Sequence, residues 1–166
     1  MLLQNAIDEF LLDCQAGGLS AKTLCVYGGN LRRFGESVGE IGLAELTVRP
    51  VRYFLAELQE REPSPYTIDQ HYRTLNTFFR WCIQEEMLDR NPLDRVRRPK
   101  IPKHIVPRLC SEQVERLVEA VQETLMRERN MAMVLLMVDS GLRVGEVVRL
   151  EMANLHLDEG YIKVHG

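Results

Sequence analysis

Long apolar runs are missing from this 166-residue sequence. The longest unbroken one, Met131 to Val138, has eight residues, against the roughly 20 that a helix needs to cross a bilayer. No basic segment followed by an apolar stretch opens the chain, so no secretory signal is read there. Cysteine is scarce and scattered. Cys14, Cys25, Cys82 and Cys110 form no CxxC pair, which argues against a zinc or disulfide framework and for reduced thiols, three of them on apolar helix faces, in a cytoplasmic protein. His71, His104 and His156 show no metal-ligand spacing, so no metal is expected. Internal repeats and low-complexity segments are also absent.

A basic excess is lacking too: net charge is −3, which at first argues against a nucleic-acid partner. The distribution of charge points the other way. Residues 1–89 carry 8 basic and 13 acidic side chains, and residues 109–166 carry 6 and 10. Between them, residues 90–108 hold seven basic side chains (Arg90, Arg95, Arg97, Arg98, Lys100, Lys103, Arg108) against Asp94 alone. Four of the seven prolines, at 92, 99, 102 and 107, fall in the same stretch. They predict an extended, semi-rigid strap instead of a helix, and the domain boundary is placed there.

What is present is helical periodicity. Leu3, Ile7, Phe10 and Cys14 mark one face of a first helix, which Gly17-Gly18 ends. Ser20 caps a second, whose stripe is Leu24, Tyr27, Leu31, Phe34 and Val38. Gly28-Gly29 sit inside it at a cost of roughly 1 kcal/mol each relative to alanine. They either allow close approach of another backbone or are tolerated defects. Thr47 caps a third helix with Val51, Phe54, Leu55 and Leu58 facing inward. Ser64-Pro65 opens a fourth, with Ile68, Tyr72, Leu75, Phe79 and Cys82 on one face. Gln70, Arg73, Thr77, Arg80 and Gln84 form a second, polar and cationic stripe on it. Asn91-Pro92 stops this helix, giving a four-helix bundle over residues 1–90.

The segment 109–166 opens with a helix capped by Ser111, whose buried face is Val114, Leu117, Val118 and Val121. Met131–Val138 is apolar all round and is expected at the centre of a core. Arg143 to about Ala153 reads as a further helix. Leu155–Leu157 and Tyr161–His165, joined by Asp158-Glu159-Gly160, read as a β-hairpin. A lone hairpin is marginal in water, so this segment is read as a domain cut part-way through its sheet.

Two stretches carry a family resemblance. Residues 75–121, LNTFFRWCIQEEMLDRNPLDRVRRPKIPKHIVPRLCSEQVERLVEAV, and residues 139–166, DSGLRVGEVVRLEMANLHLDEGYIKVHG, resemble the tyrosine recombinases, the phage integrases and Xer-like resolvases. The resemblance implies a mainly α chain: a SAM-like core-binding bundle (1–90), a basic interdomain linker (91–108) and the first part of an α+β catalytic domain (109–166). It implies that Arg143 grips the scissile phosphate and that Glu146 orients the site. The chemistry agrees, since a guanidinium offers a bidentate fork for phosphate oxygens. Ser140 stands where the family usually has threonine, and Asn154 where it has aspartate. The family's catalytic lysine, His-x-x-Arg box and nucleophilic tyrosine fall beyond Gly166, so the fragment is expected to bind DNA without cutting it. Tyr161, at an early strand position, is read as packing, and Trp81 as core in preference to a base-stacking platform.

For DNA contact the resemblance points to the second and fourth helices, hence Lys22, Thr23, Arg33, Gln70, Arg73, Thr77 and Arg80, and to the strap's Arg95, Arg97, Arg98, Lys100 and Lys103. Glutamine and arginine read base edges, whereas threonine and lysine mostly hold phosphate. The expected partners are double-stranded DNA and full-length recombinase subunits, tetrameric on DNA, the fragment itself being monomeric in solution. No cofactor is expected, because a phosphotyrosine linkage stores the bond energy for rejoining. Three readings stay open: an enzyme fragment, a truncated recombinase that competes for DNA sites, and a helical protein-interaction adaptor. The last leaves both the basic strap and the Gly-Leu-Arg box without a purpose.

Overall fold

Apolar side chains at three- and four-residue spacing leave each helix of the first ninety residues one face that must be covered. A computed structural model, which describes residues 1–61, 64–102 and 107–164, shows how that is done. The chain forms two compact units, Met1–His104 and Ile105–Gly166. In the first, helices α1 (Leu3–Ala16), α2 (Ala21–Val38), α3 (Val48–Arg61) and α4 (Pro65–Gln84) enclose one core. Each of the first three packs on α4. Phe10 meets Phe78 edge-on at 5.5 Å between ring centres, and Phe34 meets Phe54 at 5.2 Å and Phe79 at 6.0 Å. Edge-to-face aromatic pairs add about 0.5–1.5 kcal/mol beyond their area burial. Trp81, half-buried, packs against the edge of the core at Phe10 and Phe78.

Ser20 caps α2 as the sequence predicts, its hydroxyl accepting from the Thr23 amide at 3.2 Å. Ser64 stands at the N-cap of α4 with Pro65 at the first helical position, yet its hydroxyl makes no capping bond. Gly28 and Gly29 lie inside α2. A methyl group at Gly28 would make ordinary contact with Leu11, and one at Gly29 would meet open space. No helix neighbour therefore requires either glycine. Cys14 and Cys82 are buried, and burial pushes the Cys82 thiol up to about 12. Three of the four cysteines were expected on apolar helix faces; Cys25 and Cys110 are both exposed.

The strap is less uniform than its prolines suggest. Pro92–Arg95 forms a 3₁₀ turn, capped by Asn91, whose side-chain oxygen accepts from the Leu93 amide at 2.9 Å. The Asn91 amide group also donates to Asn76 of α4 at 3.0 Å. Asn91, Pro92 and Leu93 are buried, and Leu93 belongs to the bundle core. Residues 96–102 then run without regular structure.

The second unit contains α5 (Ser111–Gln122), α6 (Arg127–Ser140), α7 (Val144–Val148), and a two-stranded antiparallel sheet of β1 (Leu155–His156) and β2 (Tyr161–Ile162). Several expectations are corrected here. The N-cap of α5 is Cys110, not Ser111, and the Gln113 side chain accepts from the Cys110 amide. Of its expected buried face only Val121 is buried, and Leu117 is exposed. Helix α6 is not the centre of a core: none of its residues is buried, and Leu135 is 48% exposed. Among the described residues, α5 and α7 are too little surface to cover an all-apolar cylinder. The helix expected over Arg143–Ala153 stops at Val148. Gly145 and the β-branched Val144, Val147 and Val148 are poor helix formers, and a 3₁₀ turn at Met152–Asn154 follows instead. The hairpin is present but short, extended by one further bond from the Lys163 amide to the Asn154 carbonyl. Tyr161 stacks on His156 across the hairpin at 4.3 Å but remains exposed. Among the described residues, no helix is long and apolar enough to cross a membrane.

If Leu93 is part of the bundle, Leu93→Ala should cost about 2–5 kcal/mol in urea unfolding. An independent linker would lose almost nothing. Gly29→Ala, with open space at its Cβ, should gain up to about 1 kcal/mol.

Candidate nucleic-acid interface

Helix α4 buries Ile68, Leu75, Phe78, Phe79 and Cys82, and the 3.6-residue repeat then turns Gln70, Arg73, Thr77, Arg80 and Gln84 outward. All five are exposed, so the structure brings the predicted stripe together as one strip. Beside it, Val26 and Tyr27 of α2 line a shallow hollow of 330 Å³ with Gln70, Arg73, Thr74, Asn76 and Thr77. Asn30 fixes α2 to α4 across this seam by donating to the Thr74 hydroxyl at 2.9 Å. Thr77 donates to the Arg73 carbonyl at 3.1 Å, leaving its oxygen as an acceptor.

The α2 candidates are less uniform. Lys22 is exposed in the first turn. Thr23 shares its hydroxyl with Ser20 at 2.9 Å, as part of the cap. Arg33 lines a different hollow, with Glu36, Ser37, Glu57 and Arg61. The structure therefore places it among carboxylates on the α3 side and not with the α4 strip.

The strap cations fall into two groups. Arg97 and Lys100 line a groove of 600 Å³ with Arg52, Pro65 and Ile68. Arg95 lines a groove of 690 Å³ with Arg49, Arg52, Arg90 and the carboxylates Asp89 and Asp94. Arg52 belongs to both walls, so the two grooves adjoin. Among the described residues, the side chains of Arg95, Arg97, Lys100 and Arg80 make no hydrogen bond or ion pair. Arg49 and Arg52 do not figure among the residues predicted from sequence. The signal was there, because Arg49, Arg52, Ala56 and Gln59 follow helical spacing on the outer face of α3. Lys103 lies outside the described residues.

Arg98 behaves differently. Its Nε and Nη2 donate to the two carboxylate oxygens of Asp69 at 2.7 and 3.1 Å. Asp69 is 1% exposed and also takes Arg73 Nε in an ion pair at 3.1 Å. No sequence pattern marks Asp69, whose position in the 3.6 repeat lies between the two faces of α4. Hydrogen bonds from Arg98 hold its carboxyl below the usual carboxylate range, against the opposing effect of burial.

In the second unit Arg143 is the N-cap of α7 and its side chain is 84% exposed. Its backbone amide donates to Glu146 Oε2 at 2.7 Å, and its Nη1 donates to Oε1 at 3.0 Å. Glu146 is thereby held ionised, its carboxyl lowered by the Arg143 amide first and the Arg143 side chain second. One nitrogen of the fork is engaged and the remainder faces solvent. Gly141, at φ +68°, ends α6 and makes the sharp turn that sets Arg143 there. Among the described residues, no group of three or more His, Cys, Asp or Glu side chains is placed to hold a metal ion.

A helical bundle with a cationic strap is thus followed by a helix-and-hairpin segment that presents a carboxylate-braced arginine. Residues 7–89 match the phage integrase N-terminal SAM-like domain, and residues 107–166 match the phage integrase family. The chain belongs to the phage integrase family. It is similar to the tyrosine recombinase XerD of Oceanobacillus iheyensis, 27% identical over 99% of this chain and 57% of that one. It is likewise similar to the tyrosine recombinase XerA of Pyrococcus furiosus, 30% identical over 99% of this chain and 54% of that one. The chain thus spans about half the length of the curated relatives it matches. Its fold resembles that of a lambda integrase dimer bound to a COC′ core site, with a TM-score of 0.84 at 22% identity over 100% of this chain and 59% of that one. It also resembles the Tn1549 transposon integrase in complex with circular intermediate DNA, with a TM-score of 0.78 at 19% identity over 99% and 54%.

A carboxylate whose pKa is lowered by folding contributes stability that is present above its unfolded value, about 3.9 for aspartate, and lost as pH falls through the lower folded value. The wild-type chain should therefore lose stability on acidification below about pH 4 more steeply than Asp69→Asn, as read by urea unfolding at successive pH values. Superimposable pH profiles would show that Asp69 titrates alike in the folded and unfolded chain.

Proposed function

We propose that this chain is the DNA-engaging part of a site-specific tyrosine recombinase, which in its whole form cuts and rejoins DNA through a 3′-phosphotyrosine. The observation that carries this reading is the placement of cations in the first unit. Arg73 and Arg80 stand on the exposed strip of α4, and Arg95, Arg97 and Lys100 stand in adjoining grooves with their charges uncommitted. A chain of net charge −3 that leaves Arg80, Arg95, Arg97 and Lys100 unpaired favours a polyanionic partner. Gln70 and Arg73 suit base edges in the major groove. Thr77, Lys22, Arg80 and the strap cations suit phosphate, which sets register without reading sequence.

Arg143 is the residue we assign to the scissile phosphate. Its fork is exposed, and Glu146 fixes its orientation without burying it. Glu146 acts through Arg143 as a positioning group. Of the domain division, we keep a core-binding bundle, a basic linker and the start of a catalytic domain. The linker's first residues, to Leu93, serve the bundle as core. Duplex DNA and further recombinase subunits are the proposed partners, with the chain alone monomeric. A lambda integrase of similar fold is described as a tetramer bound to a Holliday junction. Four free thiols, two of them buried, suit a reducing cytoplasm.

Five cations assigned to phosphate, Lys22, Arg80, Arg95, Arg97 and Lys100, give a quantitative test. Each phosphate neutralised contributes about −0.9 to the slope of log K against log salt, so random duplex DNA should bind with a slope of about −4 to −5. Changing Arg95, Arg97 and Lys100 together to alanine should flatten that slope by about 2 to 3. A wild-type slope near zero, measured by fluorescence anisotropy from about 50 to 200 mM salt, would overturn the reading.

A further inference from the structure

Four contacts tie residues 95–102 to the bundle. Arg52 of α3 donates to the Arg95 carbonyl at 2.7 Å. Along α4, Tyr72 donates to the Val96 carbonyl at 3.4 Å, Asp69 takes the Arg98 side chain, and Tyr66 donates to the Pro102 carbonyl at 3.3 Å. Tyr66, Asp69 and Tyr72 are three residues apart and so share one edge of the helix. The strap meets them in reverse order, 102, 98, 96, and therefore runs antiparallel to α4. The tyrosine bonds are long and reach only backbone carbonyls, which any residue offers. Asp69–Arg98 is the one tie among these that depends on a particular strap side chain, and a bidentate carboxylate–guanidinium pair fixes direction as well as distance.

We propose that Asp69 is a positioning residue for DNA engagement: its buried carboxylate locks the register of the strap on α4 through Arg98 and aims Arg73 outward, so that Arg73, Arg95, Arg97 and Lys100 are presented as one preset cationic surface. This rests on the DNA reading above and adds a residue and a division of labour to it. Arg98 is the strap cation that braces instead of binding phosphate. Arg73 engages the carboxylate through Nε while its side chain stays 64% exposed, so its guanidinium remains accessible to a guanine edge or a phosphate. Stability alone does not account for the arrangement. With Arg98 57% and Arg73 64% exposed, the pairs are screened by solvent and contribute modestly to stability, whereas a charge pair at a buried carboxylate is well suited to specify register. A negative charge beside a DNA-facing strip also opposes DNA binding, unless it serves to hold cations in place.

That opposition makes the test decisive. Charge counting alone predicts that Asp69→Asn, which removes a negative charge, tightens duplex binding and leaves the salt slope unchanged. The positioning role predicts the reverse: affinity about fivefold weaker at about 100 mM salt and a slope flatter by about 1 to 2, because strap cations no longer meet phosphates together. Arg98→Lys keeps the charge and loses the fork. It should reproduce the Asp69→Asn defect, whereas an Arg98 that contacts phosphate directly would leave Arg98→Lys close to wild type. Arg98 is more than half exposed, so this variant reports even if Asp69→Asn fails to fold, which circular dichroism would reveal. The double variant should be no worse than either single one. Wild-type chain that does not bind random duplex DNA would overturn the DNA reading and this role with it. Wild-type binding that both single variants match, or losses that multiply in the double variant, would overturn the role of Asp69 alone.

Discussion

The first unit depends on α4 facing two environments at once. Its inner stripe supplies Phe78, Phe79, Leu75 and Ile68 to a core shared with every other helix of the bundle, and its outer stripe is polar along the same twenty residues. Because the helical repeat fixes the angle between the stripes, packing the inner one decides where the outer one points. The bundle's aromatic contacts are thus also what aims Gln70, Arg73, Thr77 and Arg80. The linker is drawn into the same arrangement at Asn91 and Leu93, which close the end of the core before the chain departs along the edge of α4.

The second unit obeys a different constraint. It buries Val121 and Val147 and little else, and α6, the helix with the longest apolar run in the chain, keeps large side chains in solvent. Local geometry at the Gly-Leu-Arg turn is nevertheless well specified, because it does not draw on a core. The left-handed glycine at 141 ends α6, and Glu146 satisfies the Arg143 amide and orients its guanidinium in one bidentate grip. On the role proposed for Arg143, meeting a phosphate needs a direction more than it needs burial. A carboxylate three residues on, anchored by a backbone bond, supplies one in a helix of only five residues.

Much of the fold was legible, and the misses have identifiable causes. Periodicity located α1 to α4 and their buried faces because each helix has a clear apolar stripe, and Ser20 declared its capping role by its position. Pattern failed where it depends on what lies opposite: the all-apolar run 131–138 reads as a core centre, but whether it is covered is a property of other elements. It failed again where propensity competes with pattern, as in the valine-rich segment that ends α7 early. Prolines marked the strap correctly as non-α-helical, yet they do not tell an extended residue from one in a 3₁₀ turn, so the burial of Pro92 and Leu93 was invisible. For the site, exposed stripes were readable and pairings were not. Arg98 looked like its neighbours Arg95 and Arg97. Only the fold reveals that a carboxylate 29 residues earlier claims it, since Asp69 lies between the two faces of its helix.

The difference between Arg98 and its neighbours bears on how an acidic chain can address a polyanion. Net charge governs long-range attraction, and at physiological ionic strength exposed charges act over about 8 Å. Carboxylates beyond that distance weigh little against cations gathered in adjoining grooves. What matters within it is whether the cations can meet successive phosphates together, and that depends on the order of the strap more than on the number of its charges. A strap left free would have to surrender conformational entropy on binding, about 1–2 kcal/mol for each residue fixed. A strap already bonded at 95, 96, 98 and 102 has surrendered much of it during folding. Retaining one buried carboxylate, at the cost of one unit of favourable charge, is physically sensible under the proposed role, in which a duplex is met in a single register.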